Sequence, residues 1–112
     1  MPPAAPELDQ AAIDGAATRL LAAAPEESEV VLFGSYARGD ATAGSDLDFL
    51  VIEPEPQDPH GERVRLRDVL QDSPVGVDVL VVSRARFESW RHKTSTIDHV
   101  ADREGRRYCR GA

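Results

Sequence analysis

The sequence predicts an α/β (α+β) domain: a small mixed sheet of about three to four strands flanked by helices. Three β-branched apolar runs, residues 29–33, 46–52 and 75–83, alternate with stretches of helical periodicity. Each run is bounded by Gly, Pro or Ser. At 112 residues and 12.2 kDa the chain fits one compact domain, 1–112, with no room for a second core. Residues 1–6 (Met-Pro-Pro-Ala-Ala-Pro) are expected to be flexible.

The elements follow in order. Over residues 8–24, Leu8, Ile13, Ala16, Ala17, Leu20, Leu21 and Ala24 keep helical spacing in an alanine-rich run that Pro25 stops. Glu29 to Phe33 reads as a short buried strand ended by Gly34-Ser35, and residues 36–45 as a helical turn followed by a polar loop. Asp46 to Ile52 forms the second strand, with Leu47, Phe49 and Val51 on one face and Asp46, Asp48, Leu50 and Ile52 on the other. Glu53 to Gln57 is a loop. Asp58-Pro59 caps and starts a helix through about Asp72, with Leu66, Val69 and Leu70 inward. Val75 to Ser83 is the third strand, with Asp78, Leu80 and Val82 sharing a face. Ser83 caps a last helical region carrying Phe87, Trp90, Thr94 and Ile97, and Arg103-Glu104-Gly105 ends regular structure.

Charge and composition narrow the function. Net charge is −7, unevenly divided: residues 1–59 hold 12 acids and 2 bases, residues 60–112 hold 8 acids and 11 bases. Sequence-independent binding to nucleic acid is not expected of such a chain. Apolar runs fall far short of the roughly 20 residues that span a bilayer. The N-terminus lacks the basic flank and apolar stretch of a secretory signal, so a cytoplasmic location with no membrane partner is expected. A single cysteine, Cys109, forms no internal disulfide, and His60, His92 and His99 lack metal-ligand spacing with one another.

The chemistry is concentrated in three carboxylates and one corner. Asp46 and Asp48 stand at i and i+2 of a strand, so they point to the same side, and Asp78 joins them if its strand is a neighbour. No lysine or arginine close by in the sequence neutralises them, and like charges so placed raise one another's pKa. Hard oxygen donors suit magnesium or manganese, and a pair of such ions supports in-line phosphoryl displacement. Gly34 at a strand end lets backbone approach a phosphate, and the Ser35 hydroxyl adds a donor. With 8 Gly, 7 Ser and 11 Asp in the chain, Gly-Ser followed by Asp at +12 and +14 arises by chance in about 0.4% of such sequences, which makes the spacing specific.

The segment Gly34-Ser35-Tyr36-Ala37-Arg38-Gly39 through Ser45-Asp46-Leu47-Asp48, followed by Val77-Asp78-Val79, resembles the minimal nucleotidyltransferases of the polymerase-beta-like superfamily. The Arg103-Glu104-Gly105 ending fits too. Such proteins are similar to the antitoxin of HEPN toxin-antitoxin pairs. The resemblance implies a nucleotidyltransferase fold and transfer of AMP from ATP to a tyrosine of an all-helical HEPN-family toxin partner. It implies catalytic and metal-binding roles for Asp46, Asp48 and Asp78, triphosphate binding by Gly34 and Ser35, and Mg2+ or Mn2+ as cofactor. Two departures stand out. Ala41-Thr42-Ala43-Gly44 occupies a loop where many relatives carry an arginine, and Arg106-Arg107 follow Glu104-Gly105 where the family often turns apolar.

Plainer readings exist for each residue. Gly34-Ser35 can be a strand-ending turn, and Asp78 an edge-strand residue facing water. Arg38 suits a surface pair with Asp40, and Arg63, Arg65 and Arg67 a solvated helix face. Trp90 with Phe87 reads as core. Two alternative functions compete: a binding antitoxin that keeps the fold and neutralises by occlusion, and a small-molecule nucleotidyltransferase, for which no residues remain to build an acceptor-binding helical domain.

Overall fold

The computed structural model describes residues 8–110, in the order α1 Gln10–Ala23, β1 Glu29–Phe33, α2 Ser35–Arg38, β2 Leu47–Glu53, α3 Pro59–Val69, β3 Val77–Ser83, α4 Arg84–Trp90, α5 Ile97–Glu104 and β4 Arg106–Cys109. The expected flexibility of residues 1–6 lies outside the described residues. The sheet runs β3-β2-β1-β4. β1 is antiparallel to β2 and β4, while β2 and β3 are parallel. The sheet is therefore mixed, as the alternation of strands and helices predicts.

Side-chain alternation divides the core into two layers. Val30, Leu32, Leu47, Phe49, Val51 and Val79 pack against Ile13, Ala17 and Leu20 of α1 and Leu66 of α3. On the opposite face Val31, Phe33, Leu50, Ile52 and Val82 pack against Phe87 of α4 and Ala101 of α5. A parallel strand pair cannot be closed by a tight turn and requires a crossover. Here α3 provides it, started by Asp58, whose carboxylate accepts the Gly61 N–H at 3.1 Å, and by Pro59 at its first position. α1 begins in the same way, with Asp9 accepting the Ala12 N–H at 2.8 Å.

Several boundaries differ from the sequence reading. α3 ends at Val69, although Leu70 beyond it is still buried, and β3 begins at Val77. The last helical region is two helices, α4 and α5, separated near Lys93 to Thr96, where the Thr96 side chain accepts the His99 N–H and caps the second. Trp90 is not core: it is 38% exposed, with the Arg86 and Lys93 cations 4.4 and 4.8 Å from its ring centroid. Regular structure does not stop at Gly105 but continues into β4, an edge strand against β1. β4 escapes a hydrophobic pattern because its Arg107 is held by charge, at 2.9 Å from Asp102 and 3.3 Å from Glu29. The turn into it needs Gly105, since a Cβ there would overlap the Ala101 carbonyl and the Val31 side chain. No helix among the described residues is long and apolar enough to cross a membrane.

Glu53, expected in a loop, is the last residue of β2 and only 1% exposed. Burial, then hydrogen bonding to Glu62 and its charge, push the Glu53 carboxyl up to about 8, against a smaller opposing pull from Arg65. Hydrogen bonding to Arg65 holds Glu62 down to about 2. Arg65 also donates to the Ala23 carbonyl at 2.9 Å, so the cluster ties α3 to the end of α1. Because folding raises the Glu53 value, its protonated form favours the native state below about 4.5, and that contribution is lost as pH rises towards about 8. Glu53→Gln is expected to abolish this fall and to be more stable than wild type at pH 8 by on the order of 1 kcal/mol. Urea unfolding at a series of pH values measures it.

Candidate active site

The corner after β1 depends on a glycine for two separate reasons. Gly34 caps α2 with φ +79, a backbone region that a side chain strains. A Cβ at Gly34 would also overlap the Asp48 carboxylate. Phe33 of β1 is the register partner of Asp48 on β2, and this pairing brings the corner and the carboxylate together. Ser35 begins α2, and its carbonyl accepts the Gly39 N–H at 3.0 Å, where a second left-handed glycine, φ 83, ends the helix.

The parallel pairing of β2 and β3 sets Asp48 directly opposite Asp78. Asp46 stands one residue ahead of β2 rather than within it, with its carboxylate against Gly76, where a Cβ would overlap it. The Leu47 N–H donates to the Gly76 carbonyl at 2.9 Å and fixes that approach. All three aspartates therefore lie at the same end of the sheet as Gly34. Their environments differ: Asp48 is half-buried, whereas Asp46 and Asp78 are exposed. Asp78 is on an edge strand, and the Arg63 guanidinium of α3 lies 3.5 Å from its carboxylate. The expectation that no cation attends the acids holds only locally in sequence, because the crossover helix brings one to Asp78. Among the described residues, Asp46 and Asp48 have no ion-pair partner.

Burial, then the charges of Asp78 and Asp46, raise the Asp48 carboxyl above its ordinary value; Glu104 adds to this and Arg38 opposes it. Glu104 is a residue the sequence reading did not place here. Its Oε1 accepts the Gly34 N–H at 3.0 Å and lies 3.3 Å from Arg38, which also donates to Asp40 at 3.2 Å. Arg38 thus has the surface pair expected of it and a second partner 66 residues away in sequence. An acid at the C-terminal end of a helix, where the macrodipole disfavours it, was the one available signal.

The donor set fits a hard divalent cation: oxygen only, surplus negative charge, and one half-buried carboxylate already driven towards protonation. Asp46, Asp48 and Asp78 are the residues that would hold it. As the side chains stand, no three His, Cys, Asp or Glu among the described residues converge closely enough to grip an ion. The fit is one of chemistry and placement, and Asp78 would have to leave Arg63 to complete it.

A family model described as a nucleotidyltransferase domain matches residues 13–102, a span that includes Gly34, Ser35 and all three aspartates. No curated protein matches the chain.

Two outcomes test this geometry. Gly34→Ala is expected to destabilise the fold by about 1–3 kcal/mol, through the strained φ and displacement of the Asp48 carboxylate, measured by urea unfolding. Asp48→Asn acts in the opposite direction. Folding lifts the Asp48 carboxyl, so once ionised, above its ordinary range, it weighs against the native state. Its neutral isostere is expected to raise the thermal midpoint in chelator. Magnesium is expected to raise the midpoint of wild type and not that of Asp48→Asn.

Proposed function

Because the chain belongs to the nucleotidyltransferase domain family, we propose that it transfers AMP from ATP to a tyrosine hydroxyl of a partner HEPN-type toxin, the tyrosine oxygen bonding to the α-phosphorus as pyrophosphate leaves, and so acts as a cytoplasmic antitoxin. The observation that carries the catalytic half of this reading is the register pair Asp48↔Asp78 at the sheet end occupied by Gly34. The partner and the tyrosine follow from the resemblance of residues 34–48 and 78 to minimal nucleotidyltransferases.

Each residue has a role in this scheme. The Gly34 corner and the Ser35 hydroxyl bind the triphosphate. Asp46, Asp48 and Asp78 hold magnesium or manganese, which when bound supplies the positive charge that the triphosphate and the carboxylates both lack. Asp48, half-buried and fixed between Phe33 and Asp78 in register, is the rigid member. Asp78 is exposed on the outer strand, where an incoming hydroxyl has access, and its carboxylate accepts that hydroxyl's hydrogen bond or proton.

A second reading, neutralisation by occlusion without turnover, draws on the Arg63–Asp78 ion pair, which occupies one carboxylate with a cation of the chain itself. Incubation with labelled ATP, magnesium and an HEPN partner, followed by mass analysis of both proteins, separates the two. The expected outcome is an AMP adduct on a partner tyrosine, reduced by on the order of 100-fold or more in Asp46→Ala and Asp78→Ala. Neutralisation of the partner that survives both substitutions without any adduct would establish occlusion instead.

A further inference from the structure

Building on the nucleotidyl-transfer reading, we propose that Glu104 occupies the phosphate position of the Gly34 corner in the nucleotide-free protein, and that the triphosphate must displace it. The Glu104 carboxylate oxygen that accepts the Gly34 N–H at 3.0 Å also takes Arg38 Nη1 at 3.3 Å. One backbone amide and one guanidinium converging on one anionic oxygen is the donor pattern that a phosphate oxygen uses. The amide cannot serve both.

The placement of Glu104 does not come from its own helix. It is the last residue of α5, where the exposed carbonyl ends disfavour a carboxylate. Its side chain is 25% exposed, so its charge is partly desolvated yet has a way out to water. The backbone beneath it is fixed, since the Gly105 N–H donates to the Ala101 carbonyl at 2.9 Å and Gly105 is wedged against Val31. Only the side chain need rotate. Its departure frees the Gly34 amide and one of the two partners of Arg38, leaving the guanidinium to meet the incoming phosphate. An α-phosphate alone, carried by AMP, has no group to compete at this position if its binding is centred on the aspartates. Triphosphate and pyrophosphate do.

The test is calorimetric titration of wild type, Glu104→Gln and Glu104→Ala with ATP, pyrophosphate and AMP in magnesium. Glu104→Gln keeps a carbonyl oxygen for the Gly34 amide and removes only the charge, so it remains informative even where the alanine variant is damaged. The expected result is ATP and pyrophosphate binding on the order of five-fold tighter in Glu104→Gln, with AMP affinity unchanged. Wild-type binding of ATP with an equal or weaker affinity in Glu104→Gln would overturn the displacement proposal while leaving the nucleotidyl-transfer reading intact. Absence of ATP and pyrophosphate binding in all three proteins would overturn that reading and the proposal with it.

Discussion

The site depends on one parallel strand pairing. β1, β2 and β4 are joined by antiparallel ladders, and an all-antiparallel sheet would place the next strand head to tail with β2, sending an acid at its start to the far end. The α3 crossover makes β3 run alongside β2 instead, so that Asp78, second in its strand, meets Asp48, second in its own. The apolar anchor of that crossover is Leu66, fully buried against the α1 face of the sheet. Hydrophobic packing on one face thereby fixes carboxylate geometry on the other. The same helix brings Arg63 to Asp78, so the element that assembles the acids also supplies the cation that attends one of them.

The gathered charge acts against folding. A half-buried aspartate with two like neighbours is less stable than an apolar residue in the same place, and its raised pKa is the direct expression of that. Gly34 accommodates it: glycine alone adopts this positive φ without strain, and the Asp48 carboxylate fills the space where a Cβ would go. Unfavourable electrostatics and a glycine-only backbone thus coincide at one point of an otherwise well-packed sheet, which is the point the proposed function assigns to the nucleotide.

The fold was largely legible because its core elements obey simple periodicities. β1 has the predicted bounds, Glu29–Phe33, since it is a short apolar run led by two valines and closed by glycine, and the alternation along β2 separates Phe49 and Val51 from Leu50 and Ile52 as predicted. β4 was not legible: Arg106 and Arg107 carry no apolar pattern, and the strand is held by ladder bonds to β1 and by ion pairs to Glu29 and Asp102. Of the pair read as core, Phe87 is buried, whereas Trp90, the last residue of α4, lies beyond the reach of the sheet, because helical spacing cannot tell where a helix stops. At the site, the i, i+2 spacing made Asp46 and Asp48 visible. The contacts of Glu104 with Gly34 and of Arg63 with Asp78 were not legible, because they form through tertiary packing across 70 and 15 residues respectively.

β2 carries acids at both ends, and the contrast between them distinguishes a structural carboxylate from one available to a ligand. Glu53 lies on the α1 and α3 face and is more deeply buried than Asp48. Its charge is managed internally: it is pushed up to about 8, hydrogen-bonds Glu62, and Glu62 is held by Arg65, which is itself anchored to the Ala23 carbonyl. A proton and a guanidinium balance the charge of that cluster, although Glu53 Oε2 stays buried without a hydrogen-bond partner. Asp48 has the opposite surroundings. Its nearest charges are Asp78 and Asp46, Glu104 adds another, and Arg38 offsets them only at a distance while committed to Asp40 and Glu104. A buried and a half-buried acid on one strand thus have opposite charge balances, and the end that is left short of positive charge is the end where the glycine corner lies.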